Sequence, residues 1–322
     1  MNYEFFVIQH IISAMAYLVF LFLHTRDLFT SWIYLWATVG IYGGSVALRV
    51  LGQAWWNTGI SKAIITALQD DAVTVSIEIP NAKGNWTAGQ HVFIRFLALY
   101  PWQCHPFTVA SVEEDGQLVL LIKKEHGITD RLYRKCRGKD MEWNTRVLID
   151  GPYGGPPRDP ASFNSVVLCA GGVGVTFTLS ILKDLVKRMH EEGKIRCSHV
   201  VFVWSVKSKR QLEWIQAELL LCAAKESAVE IHLHVTDPKW GAGDNDFLDP
   251  NYSNVTLNFG RPDIRHIIES TLLGNPGSLC VLGCGPAPMT TQLANTCATL
   301  QKKVIAGKSA SELFLHIETF GW

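Results

Sequence analysis

The sequence predicts a multidomain fold: an N-terminal two-helix transmembrane segment, an antiparallel β-barrel, and an α/β domain with a parallel sheet. Three patterns predict it. Residues 1–52 hold two apolar stretches of bilayer length, about 20 residues each. Residues 60–159 hold alternating runs separated by turn residues. From 160 to 322, strand-like and helix-like runs alternate, as in a parallel sheet.

Composition narrows the function classes. The 322 residues carry 29 basic and 29 acidic side chains, which cancel. A balanced chain makes no case for nucleic acid or for an acidic substrate held by bulk charge. The mean hydropathy is +0.13, positive enough in so long a chain to point to membrane segments. The eight cysteines contain no C-x-x-C, and the nearest pair is Cys280 and Cys284. They read as reduced thiols, neither a disulfide framework nor a zinc site.

In the first part, Tyr3 to Leu23 is apolar except for Glu4, Gln9, His10 and Ser13, and lacks the basic start of a signal peptide. Thr25 to Ser31 is a short polar connection. Trp32 to Val50 is a second apolar stretch, flanked by Trp32, Trp36, Trp55 and Trp56 and ending near Arg49. Two spans with a short loop put both ends on one side, and Arg49 favours the cytoplasm for that side. Two buried core helices are the alternative. His10 and His24 are 14 positions apart, about 1400° of helical turn and about 21 Å of rise, so both rings share one face. Imidazole is a haem ligand, which makes the pair a candidate metal site; packed polar side chains are the other reading.

In the second part, Val73 to Ile79 alternates, Pro80 to Gly89 carries turn residues, and Gly89 to Ile94 is strand-like. Gln103 to Ser111 is the stretch with chemical content. Pro106 fixes φ and removes a donor, so the segment is expected to be extended and to interrupt regular pairing. Phe107 and Thr108 then project as an aromatic face beside a hydroxyl, which is what a flat redox-active ring needs. A core strand with one proline is the alternative. His126 to Asp130 leads into a helix-like run, Arg131 to Cys136, and Pro156 to Pro160 is a stiff linker.

In the third part, the apolar run Ser165 to Ala170 is followed by Gly171-Gly172-Val173-Gly174-Val175-Thr176, then by helical spacing from Phe177 to Leu185. Strand, glycine turn and helix are the context of a phosphate cradle, in which glycines let the backbone approach and the helix start faces the charge; the loop is not a full G-x-G-x-x-G, so a plain strand-to-helix turn is the alternative. Further strands are expected at His199–Ser205, Val229–Val235 and Ser278–Gly283. Helices are expected at Thr176–His190, Lys209–Lys225, Ile264–Leu273 and Ala287–Gln301. Lys207, Lys209 and Arg210 follow the second strand, where cations suit a 2′-phosphate and so NADPH over NADH. A solvated charge run is the other reading.

His105-Pro106-Phe107-Thr108 followed by the glycine turn resembles the flavin and nicotinamide sites of the ferric reductase/NADPH oxidase family. The resemblance runs from about Tyr3 to Trp322. Its members carry a ferredoxin reductase-like dehydrogenase behind a haem-bearing membrane domain. It implies that His105 to Thr108 bind FAD, with Phe107 against the isoalloxazine and Thr108 near its reactive edge. Gly127, Thr129 and the following amides would face the FAD pyrophosphate; an ordinary helix cap is the alternative there. Gly151-Pro152-Tyr153-Gly154 looks like the family's barrel-closing turn. Gly171, Gly172, Gly174, Thr176, Lys207 and Arg261 would hold NADPH, and Cys284-Gly285-Pro286 is similar to the turn beside the nicotinamide. Glu318 would lie near the hydride-transfer point, and Phe320 or Trp322 would cover the flavin. Tyr3 to Ala14 looks like the later of two helices whose histidines bind two stacked haems b. His10 and His24 then offer one axial ligand per haem, so truncation, a partner supplying the remaining ligands, and lost haem transfer all stay open.

The expected function is therefore that of a membrane-bound NADPH:FAD oxidoreductase, ferric/cupric-chelate reductase-like, passing single electrons onward. It is expected in membrane lipid, in the plasma membrane, with its dehydrogenase domains cytosolic. Ferric or cupric chelates or dioxygen are the expected acceptors, and no nucleic acid is expected as a partner. A superoxide-forming oxidase and a non-catalytic membrane remnant are the rival readings.

Overall fold

The computed structural model describes residues 3–26, 28–56, 60–79, 86–113, 116–190, 195–239, 252–274, 277–307 and 310–319. The chain forms two compact units, Met1–Asn57 and Thr58–Trp322.

The first unit is a pair of helices, α1 (Tyr3–Thr25) and α2 (Ser31–Trp56), joined by a 3-10 turn at Leu28–Thr30. Their large apolar side chains face outward: Ile12 is 64% exposed, Phe20 69% and Ile33 66%. Hydroxyls are returned to their own helix, Thr25 Oγ1 donating to Leu21 O (3.0 Å) and Thr38 Oγ1 to Tyr34 O (2.9 Å), which lowers the cost of placing them in an apolar stretch. Phe22 meets Trp36 across the hairpin at 5.1 Å between ring centroids. Both helices form as the sequence predicts. Among the described residues, however, only α1 is long and apolar enough to cross a membrane, over Ile8–Thr25. The reason lies in the composition of α2: Trp, Tyr, Gly, Ser and Thr take positions that aliphatic side chains hold in α1.

The second unit begins with an antiparallel six-stranded sheet: β1 (Ile60–Leu68), β2 (Ala72–Glu78), β3 (Gln90–Phe96), β4 (His105–Thr108), β5 (Gln117–Lys123) and, after helix α3 (Ile128–Arg137), β6 (Glu142–Gly154). The order is β4-β3-β6-β1-β2-β5. Its two edges meet just after β4, where Ala110 N donates to Val119 O (2.8 Å) and Val119 N donates to Ser111 Oγ (3.0 Å). Alternate residues such as Ile65, Val75, Ile94 and Leu120 fill the interior, and α3 adds Leu132 and Cys136. One expectation changes here. Pro106 does not interrupt pairing: β4 pairs with β3 from Ile94↔His105 to His91↔Thr108, an edge-strand position that proline tolerates. The stretch Gly151–Gly154 forms the end of β6, still paired with β3 beyond a register shift at His91/Phe93. The turn expected at Pro80–Asn85 lies outside the described residues.

The second sheet is parallel, with β7 (Ser165–Gly171), α4 (Val175–His190), β8 (His199–Val206), α5 (Gln216–Lys225), β9 (Val229–Val235), β10 (Val255–Phe259), α6 (Ile264–Gly274), β11 (Ser278–Cys284), α7 (Ala287–Ile305) and β12 (Glu312–Glu318). Its order, β10-β9-β8-β7-β11-β12, reverses between β7 and β11. Every residue of β7 is buried, because α4 and α5 cover one face and α6 and α7 the other. Such a reversal point opens a crevice at the carboxyl ends of the strands. The expected helix at Lys209–Lys225 is divided into a 3-10 segment, Lys209–Trp214, and α5, because Ile215, at φ −141° and ψ 19°, leaves helical geometry between them.

The barrel and the sheet share a core. Ala72 and Leu121 pack with the α4 and α5 cluster, Gly89 N donates to Ser180 Oγ (2.9 Å), and Trp214 Nε1 donates to Gln69 O (2.9 Å). The proline-rich linker is pinned as well. Arg188 makes a two-pronged contact with Asp159 (2.8 and 2.9 Å), and Arg158 is paired with Glu312.

Candidate active site

The shared core leaves a cleft of about 390 Å³ between the barrel edge and the carboxyl end of the parallel sheet. That is the size of a small-molecule site. The barrel contributes Phe93, Pro106, Phe107, Thr108, Lys123 and Thr129, and the α/β part contributes Val173, Thr176 and Glu318. Six residues expected at a site (Pro106, Phe107, Thr108, Thr129, Thr176 and Glu318) are thus brought to one cavity. Phe107 is half-buried and packs against the barrel core, meeting Phe96 in a T-shaped contact with ring centroids 6.4 Å apart. Thr108 is held by its pairing with His91.

Thr129 does not cap α3 by itself. Its hydroxyl accepts from Glu125 N (2.9 Å) and donates to His126 O (3.2 Å), closing the turn before the helix. Gly127 precedes α3 with φ 66° and no side-chain cap, and a Cβ there would meet only open space. The first amides of α3 are therefore open to an anion on the cleft side.

The glycine turn and the Cys284-Gly285-Pro286 turn interlock. A Cβ on Gly171 would lie 2.5 Å from Pro286 Cδ, one on Gly174 2.2 Å from Cys284 O, and one on Gly285 3.0 Å from Gly171 N. Gly171, Gly174 and Gly285 are small because strand ends β7 and β11 touch. Gly172 differs: its φ is +55°, and no atom of the described residues lies within 4 Å of its Cβ position. Its carbonyl is fixed by Trp204 Nε1 at 2.9 Å. Gly172 is the glycine whose missing side chain leaves room for something outside the protein.

Cys284 is buried rather than exposed to the cleft, aligned with Ala170 on one side and Glu318 on the other. Burial, and then the charge of Glu318, push its thiol up to about 12, so it is a neutral thiol in the cell. Glu318 projects from the end of β12, and His316 two residues earlier holds its Oε2 at 3.1 Å. Lys207 is exposed just beyond β8, and Arg261 is exposed beyond β10, on the same edge of the sheet as the glycine turn but outside the cleft. His105 and Gly127 flank the cleft without lining it, and Phe320 and Trp322 lie outside the described residues.

Sequence reasoning missed His316, the Lys123–Glu125 ion pair on the cleft rim (2.6 Å), and Ser205, whose buried hydroxyl at the end of β8 has no partner among the described residues. His316 was hidden because β12 was not foreseen, and a strand seen only as the partner of β11 carries no strong signal of its own.

Known proteins with these features decide the relationship. A model of the FAD-binding domain matches residues 57–157, and a model of the ferric reductase NAD-binding domain matches residues 163–298. The chain belongs to the ferric reductase family. A probable cell surface ferric reductase of Aspergillus oryzae is 31% identical over 72% of this chain and 32% of its own length. Ferric/cupric reductase transmembrane component 7 of Saccharomyces cerevisiae is 24% identical over 99% of this chain and 58% of its own length. The chain thus spans about a third to three fifths of the length of these ferric reductases. A ferredoxin NADP+ reductase of Neisseria gonorrhoeae, 15% identical, superposes over 81% of this chain and 98% of its own with a TM-score of 0.56. At that identity it shows the fold alone, a ferredoxin reductase-like pairing of barrel and sheet.

The described residues suit the two organic cofactors of the matched domains and do not suit haem. The cleft, the half-buried Phe107, the open start of α3 and the open Gly172 suit FAD and a nicotinamide nucleotide. His10 and His24 are exposed on α1, with His10 stacked on Phe6 at 5.8 Å. The sequence of α2 contains no histidine, cysteine or methionine to complete an axial pair. The described residues therefore do not build a haem site, and none of the chemistry below runs through one.

Proposed function

We propose that this chain is a membrane-bound NADPH:FAD oxidoreductase of ferric/cupric-chelate reductase type, with α1 and α2 as its membrane hairpin and the dehydrogenase unit in the cytosol. One observation carries the reading: Phe107 and Thr108 share a single cleft with Thr176 and Glu318, so the flavin-side and nucleotide-side elements face each other. When bound, FAD supplies the redox chemistry, taking up two electrons together and releasing them singly.

The protein's own work is binding and placement. Phe107 offers a flat apolar face and Thr108 a hydroxyl at the ring edge. The open amides of α3 suit the FAD pyrophosphate, and Gly172 admits the nucleotide backbone to the start of α4. Lys207 and Arg261 suit a 2′-phosphate, and the Ser205 hydroxyl, without a hydrogen-bond partner among the described residues, sits on β8 opposite Gly171. The Glu318–His316 pair sets the charge at the cleft mouth. A neutral, buried Cys284 packs beneath without acting as nucleophile. No side-chain acid or base is required for hydride transfer.

The test is turnover by the full chain in detergent with added FAD. We expect one flavin per chain, a higher kcat/KM for NADPH than for NADH, and reduction of a ferric chelate that superoxide dismutase does not inhibit. A colourless protein after FAD loading would overturn the reading. Complete inhibition by the dismutase would transfer the chain to the superoxide-forming type.

A further inference from the structure

We propose that the outer face of α3 and the Tyr100–Trp102 turn form a second membrane contact, one that docks on an anionic lipid surface. The proposal rests on the membrane-bound reading above and adds a surface that no part of the cleft uses.

The observations are aromatic and electrostatic. Trp102 is 72% exposed, although tryptophan in a folded unit is normally mostly covered. Its exposure is not looseness of the chain. The turn is held by Leu99 N and Tyr100 N donating to Phe96 O (3.0 Å each) and by Gln103 N donating to Tyr100 O (3.2 Å). Tyr100 stands edge-on to Trp102 at 6.2 Å, and the Arg131 guanidinium lies over the Tyr100 ring at 4.6 Å. Arg131 opens the exposed face of α3.

That face is basic. α3 buries Ile128, Leu132, Tyr133 and Cys136 against the barrel and leaves Arg131, Arg134, Lys135 and Arg137 outward. From Ile128 to Asp140 there are five cations (with Lys139) and two carboxylates (Asp130 and Asp140), a local excess of three in a chain whose total charge is zero. Asp130, partly buried, is engaged by the exposed Arg134 at 2.7 Å, which leaves Arg131, Lys135 and Arg137 outside that pair.

Tryptophan and tyrosine settle at the headgroup level of a bilayer, and clustered lysine and arginine bind anionic headgroups. A patch with both fits a lipid surface better than a nucleic acid, which would want several stacking rings along a groove. The apolar α1 window keeps the chain at a membrane, so even a weak contact works at high effective concentration.

The experiment is hydrogen–deuterium exchange of the full chain in nanodiscs of zwitterionic lipid alone and with anionic lipid added. We expect amides of Ala98–Gln103 and the end of α3 to exchange several-fold more slowly in the anionic discs. Each surface cation is expected to strengthen the contact about fivefold, so Arg134→Glu with Lys135→Glu, or 0.5 M salt, should abolish the slowing. Trp102→Ser should reduce it. Equal exchange in both discs overturns the proposal. So does slowing that ignores lipid charge, or that grows with protein concentration and therefore reports a second copy. A chain that enters both discs and shows equal exchange refutes this patch alone, whereas a chain that enters neither refutes the membrane-bound reading as well.

Discussion

The interlock between the glycine turn and the Cys284 turn separates two glycines that look alike in sequence. In Gly174→Ala the new Cβ would lie 2.2 Å from Cys284 O. Carbon and carbonyl oxygen in contact stand about 3.3 Å apart, so one strand end must move by roughly 1 Å. Both ends are buried backbone, β7 from α4 and β11 from α7, and cannot swing aside as a side chain would. Overpacking of that order costs about 1–3 kcal/mol, which in a unit of this size lowers Tm by roughly 3–10 °C. Gly172→Ala meets no atom of the described residues within 4 Å but must hold φ at +55°, costing about 1–2 kcal/mol. The expected difference is therefore in binding. After correction for stability, Gly174→Ala should keep its affinity for NADPH, and Gly172→Ala should lose at least tenfold. Thermal melts followed by NADPH titration of the FAD-loaded chain measure both. A Gly174→Ala protein melting within 1 °C of the parent would refute the interlock. Unchanged NADPH affinity in Gly172→Ala would refute the assignment of open space to the nucleotide.

Three further outcomes are expected. Thr108→Val should lower FAD affinity about fivefold, the worth of one hydrogen bond, and Phe107→Ala by a similar or larger factor; equilibrium dialysis against FAD measures both, and unchanged affinity would count against the ring placement. Lys207→Ala with Arg261→Ala should lower the NADPH-to-NADH ratio of kcat/KM by roughly 10–100-fold with little effect on NADH, as a lost charged phosphate contact predicts; an unaltered ratio would move the 2′-phosphate elsewhere. Arg188 holds the Asp159 carboxyl below the usual carboxylate range, chiefly by its hydrogen bond, so the pair stabilises the fold above the ordinary pKa near 4, and that stability is lost as pH falls through the lowered value. Arg188→Ala should therefore lower Tm at pH 7 and differ progressively less from the parent below pH 4; a difference constant from pH 7 to pH 3 would argue that Arg188 acts by packing alone.

The parts of the fold that were legible carry their own periodicity. β9 falls at Val229–Val235 as expected, and β7, β8 and β11 differ only by an end residue. Buried parallel strands read as continuous apolar runs, and the helices between them have strong stripes. β10 and β12 were not foreseen because they are the two outer strands of the sheet. Each pairs on one side only, and Thr256 and Asn258 of β10 point to solvent. At the site, Phe107, Thr108 and Thr176 were legible because proline and glycine announce them. The division of labour among the glycines was not. It depends on how near β11 approaches β7, a long-range distance that no local pattern encodes. His316 was invisible for the same reason, since its importance comes only from a neighbour that lies in the cleft.

The shared core has a consequence for how the cleft works. A two-domain reductase joined by a loose linker could bring its halves together only on binding. Here Asp159 and Arg158 are both paired, Gly89 is bonded to Ser180, and Leu121 lies both in the α4–α5 core and on the cleft wall. Opening the cleft would require breaking these contacts and exposing Leu121 to water. The distance between Phe107 and Thr176 is therefore set by packing before any ligand arrives, and ordering costs on binding are correspondingly low. Preformed placement is also what the proposed hydride transfer would need, because such a step depends on a near-attack geometry and not on a titrating side chain. The residues that matter most for rate should accordingly include Ser180 and Trp214, which do not line the cleft but tie its two walls together.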